Sequence, residues 1–158
     1  AEIITVDPLY LLGEKNIINC SIENNECFSH EFRMESIYKR FSLTNVIPEK
    51  FYGVVDYSNS QQSVEDYNLG YTVALEWPEN KYESVDNEKI YIEKGRYACF
   101  SFSGQAEGLK DFISKIYLIS LEKQNIVRRD GFDIEVHKPI LDDIVTNYFH
   151  FDYLVPIV

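Results

Sequence analysis

The chain has 158 residues, of which 45% are hydrophobic, 26% charged and 15% aromatic. That is enough for one domain with a real core and too little for two independent enzyme domains. Twenty-six acids against 15 bases leave a formal charge of -11, which excludes the global positive field that gathers DNA or RNA phosphates, while the aromatic content excludes a disordered acidic tail.

Ile3 to Gly13 is rich in β-branched and aromatic residues and is broken by Pro8, so it reads as a strand with a kink or bulge. Asn24 and Asn25 are helix-capping residues. Beyond them Met34, Ile37, Tyr38 and Phe41 recur at helical spacing, with Phe28 and Phe32 one and two turns earlier. Phe51 to Tyr57 is a short apolar strand, and Ser58 to Gln62 is a polar loop. From Leu69 to Trp77 the pattern alternates: Leu69, Tyr71, Val73, Leu75 and Trp77 share one face. Glu76 to Glu88 holds five acids against the single base Lys81 and reads as a solvated crossover loop. Lys89 to Glu93 and Arg96 to Ser103 are strands around a turn or bulge at Lys94-Gly95.

Ser103 is placed to cap a second helix, with Glu107 in its first turn. Leu109, Phe112, Ile113, Ile116, Tyr117 and Ser120 form one stripe of that helix, which makes it the clearest helix of the chain. Asp130-Gly131 is a turn. In Phe132 to His137 the residues Asp133, Glu135 and His137 point one way and Phe132, Ile134 and Val136 the other. Phe151 to Val158 is a last strand, and Pro156 places it near a sheet edge.

The order is strand, helix, strand, strand, given twice, with the later strands of the halves offset by roughly 80 residues. The expected fold is α+β: duplicated strand-helix-strand-strand units, about 1–86 and 87–158, forming antiparallel sheets with two main helices and a central ligand cleft in a single domain over 1–158.

Three cysteines, Cys20, Cys27 and Cys99, form no CxxC, so reduced thiols and a cytoplasmic location are expected. No apolar run reaches the ~18–20 residues of a membrane span, and no secretory signal precedes the first strand. A start at Ala1 suits a processed or excised piece of a longer protein.

Four segments carry a family resemblance. They are Tyr52-Gly53-Val54-Val55-Asp56-Tyr57; Gly95-Arg96-Tyr97-Ala98-Cys99-Phe100 with Gly104 and a helix ending Lys115-Ile116-Tyr117; Phe132-Asp133-Ile134-Glu135-Val136-His137; and Asp152-Tyr153-Leu154-Val155-Pro156-Ile157-Val158. In this order they resemble the GyrI-like small-molecule-binding domains, which include effector-binding modules of AraC-type and MerR-type transcription regulators. The resemblance implies a duplicated fold with a central cleft and a buried glutamate facing cationic, often aromatic, ligands; that glutamate matches Glu135. His137 stands where the family often has tyrosine, and Ile119-Ser120-Leu121 where many members carry tryptophan.

The physical case for Glu135 is independent. A carboxylate starved of water in an aromatic cleft is costly, a cationic ligand offsets that cost, and ring faces add cation–π attraction. Alternation alone favours a solvated strand face shared with Asp133; the resemblance favours the pocket. Tyr52, Tyr71, Trp77, Tyr97, Phe100 and Tyr153 all lie on expected strands and are the candidate walls, with His137 beside the acid. His30, His137 and His150 have no metal-binding spacing, and no metal or other cofactor is expected. Cys99 and His137 would form a nucleophile and base only if the fold brought them together. Gly104 to Gly108 lacks a phosphate-binding lysine, so nucleotide binding is rejected.

The sequence therefore points to a non-enzymatic domain that senses a small cationic molecule for a bacterial transcription regulator. DNA contact would belong to a separate domain of the parent chain. The alternatives are a gyrase-inhibitor-like interaction protein, binding through Glu76–Glu88 or Asp142-Asp143, and a GyrI-like hydrolase using Glu135.

Overall fold

The computed structural model describes residues 1–21, 50–57, 66–76, 88–105, 108–138 and 148–158. The strands are β1 (Glu2–Val6), β2 (Leu9–Ser21), β3 (Phe51–Asp56), β4 (Asp66–Glu76), β5 (Glu88–Ile92), β6 (Gly95–Gln105), β7 (Asp133–His137) and β8 (Tyr148–Pro156). The one main helix among the described residues, α1 (Leu109–Lys115), continues into a π-helical turn (Ile116–Ser120) and a last α turn (Leu121–Lys123). The first expected helix, His30, the Ser58–Gln62 loop, Trp77 and most of the acidic loop lie outside the described residues.

Among the described residues all eight strands join one antiparallel sheet in the order β1-β6-β8-β7-β3-β4-β2-β5. The two halves do not form separate sheets but are joined by a hydrogen-bonded ladder, β3 on β7, in which Gly53 faces Glu135. The strand order is unchanged when β1–β4 are exchanged for β5–β8. The edge strands cross over: β1 pairs with β6, and β5 with β2.

The sheet buries both faces at its centre. β3 carries apolar residues on both sides, as an interior strand requires. On one face α1 and the two turns that continue it pack Leu109, Ile113, Ile116 and Leu121 onto Phe51, Val55, Tyr71, Val73, Phe151, Tyr153 and Val155. On the other face Leu11, Tyr52, Val54, Ala74, Ile92, Tyr97, Ile134 and Leu154 form a second cluster.

Two expectations fail for the same reason, the reach of the β6–β8 ladder. Ser103 does not cap the helix. Its pairing with His150, and that of Gln105 with Tyr148, keep β6 extended through Gln105, and Gly108 precedes α1. β8 is not an edge strand but lies between β6 and β7; Pro156 is tolerated because it is the last residue of the strand, where its carbonyl accepts from the Arg129 amide at 3.0 Å. The helix ends in a Schellman motif. Asn125 takes φ 54°, its amide bonds the Glu122 carbonyl, and the Ile126 amide bonds that of Leu121. No helix among the described residues is long and apolar enough to cross a membrane.

Candidate functional site

β7 is short and central, with β3 on one side and β8 on the other, so residues on both its faces leave water. Its alternation sends Asp133, Glu135 and His137 to the helix-bearing face, where they are 0%, 0% and 3% exposed. Three consecutive polar side chains on a buried face must find partners.

Glu135 finds two at one oxygen. The Tyr71 hydroxyl donates to Oε1 at 2.7 Å, and His137 Nε2 lies 2.9 Å from the same atom. The His137 ring is sandwiched. Phe51 stacks on one side, with ring centres 4.6 Å apart and planes 1° from parallel, and Phe151 on the other at 4.7 Å and 28°. The carboxylate is thus set among tyrosine, histidine and phenylalanine rings rather than in solvent.

Gly53 makes the close approach feasible. A Cβ at that position would come within 2.5 Å of the Tyr71 hydroxyl and 2.7 Å of Glu135 Oε1. The bare backbone of β3 is therefore the floor on which the acid and the phenol meet.

Asp133 has a separate set of partners. Tyr153 donates to its Oδ2 at 2.6 Å, Tyr117 donates to the same atom, and Arg128 reaches Oδ1 through Nη2 at 3.0 Å and Nε at 3.3 Å. The Tyr57 hydroxyl lies 3.2 Å from that of Tyr153. Burial pushes the Asp133 carboxyl above its ordinary value; Arg128 and the two phenols oppose that shift without cancelling it. Burial and the charge of Asp133 together push the Tyr117 and Tyr153 phenols up, so both remain donors.

The sequence-derived candidates divide by face. Glu135, His137, Tyr71 and Tyr153 come together beneath α1, with Phe100 partly buried in the same cluster. Tyr52 and Tyr97 lie on the opposite face. There Tyr52 donates to Glu76, and Tyr97 lies under the Arg129 guanidinium at 5.0 Å. Trp77 lies outside the described residues. Cys99 packs on the Tyr97 face, away from His137, so the two do not form a nucleophile and base. No group of three or more potential metal ligands occurs among the described residues.

Gly53, Phe51, Phe151, Tyr117 and Arg128 were not among the candidates. Their role depends on strand register and on a helix end, neither of which local spacing reveals. Only Asp133 carried a signal, since it shares the alternation of Glu135.

An open groove of about 250 Å³ lies on the other face, lined by Ser101, Ser103, Val136, Lys138, His150 and Asp152. Ser101 donates to Asp152 at 2.7 Å, and Ser103 lies 2.9 Å from His150 Nδ1, each directly across the β6–β8 ladder.

Comparison with known proteins agrees with the fold. The chain is 27% identical over 141 residues to the transcriptional regulator Rob of Salmonella typhimurium and 26% identical over 141 residues to the right origin-binding protein of Escherichia coli K12. Each match covers 89% of this chain and 49% of the relative, so the chain spans about half the length of these relatives. Its fold matches that of SAV2435, solved bound to tetraphenylphosphonium, with a TM-score of 0.71 and 11% identity over 99% of this chain and 93% of that one. The sequence-level resemblance to GyrI-like effector-binding domains therefore holds. Residues 2–157 match the Cass2 family of integron-associated effector binding proteins, and the chain belongs to that family.

Proposed function

We propose that this chain is a non-enzymatic effector-binding domain that senses a lipophilic, aromatic-bodied cation, seated against Glu135 on the helix-bearing face of the sheet. The observation that carries this reading is the burial of Glu135 among rings, with the neutral Tyr71 phenol and the Phe51–His137–Phe151 stack around it. A buried carboxylate disfavours its own charged form until a cation arrives, and aromatic faces reward a cation again. Charge is thereby selected while shape is tolerated.

The exchange-invariant strand order supports two duplicated halves within a single domain over 1–158. In this reading a guest alters how the halves pack and so shifts a neighbouring DNA-binding domain between states. The kinship to Rob supports that partner, as does the acidic surface, which leaves DNA contact to another segment. A regulator of this kind works in the cytoplasm.

Calorimetric titration with tetraphenylphosphonium tests the proposal. Glu135→Gln weakens the cation by a factor of about ten or more, while a neutral aromatic analogue of similar size loses little. Bound at ~100 times its dissociation constant, the cation adds about 2.7 kcal/mol to stability, read as a rise in Tm. Equal losses for the charged and neutral probes would contradict the charge argument. Chemical conversion of a bound probe, read by mass spectrometry, would turn the reading to a hydrolase.

A further inference from the structure

We propose that the open groove over β6, β8 and the end of β7, on the face away from α1, is a second binding site, and that it takes a small zwitterion of the amino-acid type, with its carboxylate on Lys138 and its ammonium on Asp152. The site lies apart from Glu135 and is independent of the role given to that acid.

The two halves of the sheet differ at this place. Exchanging them lays Gly53 on Glu135, and Val73, across from Gly53, on Tyr153, across from Glu135. Three residues further on, Asp56 then falls on Lys138; three residues back from the second pair, Gly70 falls on His150. Thr72 falls on Asp152, and their partners across the next ladder, Lys15 and Ser101, correspond as well.

In the first half the chain closes this region by itself. Lys15 from β2 reaches over β4 to Asp56 on β3, with Nζ 3.5 Å from Oδ2. Gly70 leaves the room beneath: a Cβ there would lie 2.8 Å from Lys15 Cε and 3.2 Å from Asp56 Cβ. In the second half none of the three pieces is kept. Ser101, in the place of Lys15, is too short to cross β8 and donates to Asp152 beside it at 2.7 Å. Lys138 holds the place of Asp56 with the opposite sign, and His150 the place of Gly70. The internal strap is missing, and a groove of about 250 Å³ lies open there, lined by Lys138 and Asp152 together with Ser101, Ser103, Val136 and His150.

Lys138 and Asp152 do not neutralise each other. Among the described residues no ion pair joins them, no carboxylate pairs with Lys138, and the side-chain partner of Asp152 is the neutral Ser101 hydroxyl. Lys138 is exposed and Asp152 half-buried, so both are within reach of a guest. A simple anion drawn to Lys138 meets Asp152 as a like charge, and a simple cation drawn to Asp152 meets Lys138. A guest with both charges satisfies both residues. The Ser101 and Ser103 hydroxyls supply further hydrogen-bonding groups, and Val136 offers the carbon chain an apolar surface. The contacts are open to water, so affinity is modest, with a dissociation constant of about 1 mM.

NMR titration of the full chain with glycine, β-alanine, γ-aminobutyrate and ε-aminohexanoate tests the site and reads the charge separation it accepts. At least one of the four binds, and it moves the amide signals of Ser101, Ser103, Lys138 and Asp152 rather than those of Gly53 and Tyr71. The N-acetylated form of that probe keeps only the carboxylate, and its carboxamide keeps only the ammonium; each binds weaker by about fivefold or more. Lys138→Gln and Asp152→Asn each weaken the parent probe by a similar factor, with Lys138→Gln melting at the wild-type temperature. Neither substitution alters the response to tetraphenylphosphonium, since neither residue faces Glu135.

No movement of these signals with any of the four probes at about 20 mM overturns the proposal. Binding of the acetylated or the carboxamide form as tightly as the parent also overturns it, by showing a plain anion or cation site. Failure of tetraphenylphosphonium to bind, or its indifference to Glu135→Gln, counts only against the reading of Glu135 and leaves the zwitterion titration to decide this groove.

Discussion

Gly53 shows how much a single missing Cβ can decide. The acid and the Tyr71 phenol share the space above it, and neither distance to an added methyl reaches 3 Å. Gly53→Ala pushes the Tyr71 hydroxyl and the Glu135 carboxylate apart, at a cost of roughly 1–3 kcal/mol in urea denaturation, with a drop in cation affinity larger than that of any substitution on the Tyr52 face. Asp133 makes a prediction of opposite character. Its carboxyl is raised above 3.8 in the folded protein by burial. A raised acid contributes stability below its unfolded value and loses it as pH rises through the folded one. The stability of wild type relative to Asp133→Asn therefore falls as pH climbs from about 4 toward neutrality, as urea midpoints at each pH would show; a constant gap would contradict the shift. The sequence made the shared direction of Asp133, Glu135 and His137 legible through alternation. It left burial open, because two acids and a histidine in a row read equally as a wetted face. Arg128 and Tyr117, which settle the matter for Asp133, come from a helix and its trailing loop.

At the scale of elements, the second helix was legible in existence and wrong in phase near its end. The α stripe runs through Leu109, Ile113 and Ile116 and then points to Ser120; the π-helical turn adds a residue, and Leu121 is the next buried side chain. The extra residue leaves Leu118 and Ile119 at the surface, 74% and 52% exposed. Leu121→Ala should cost about 2–3 kcal/mol, while Leu118→Ala stays within about 0.5 kcal/mol, measured by chemical denaturation. An equal effect at both would mean that the helix keeps α phase to its end. The strand that carries Pro156 shows the same limit. Proline in a strand suggests an edge, but its place at the last ladder position removes the objection to an interior strand.

For the whole molecule, the crossing of the edge strands matters most. β1 belongs to the first half of the chain and completes β6 of the second, while β5 returns the exchange on β2. Neither half has a closed set of strands by itself. Separate peptides 1–86 and 87–158 should lack cooperative thermal unfolding, and an equimolar mixture should regain it by circular dichroism; cooperative melting of either alone would contradict the interlock. Strand types and their sequence order were readable from alternation and turn residues. That they form one sheet was not, because which strand meets which depends on long-range pairing that no local pattern carries.

The ladder between β3 and β7 has one more consequence. Gly53 is third in β3, Glu135 is third in β7, and the two are direct partners. The axis of a rotation that exchanges Gly53 with Glu135 runs through this single pair, and the rotation exchanges Val73, which lies across from Gly53, with Tyr153, which lies across from Glu135. On such an axis there is room for one side chain only, and the other half yields by carrying none. A guest lying across that pair would therefore meet a carboxylate from one half of the chain and bare backbone from the other.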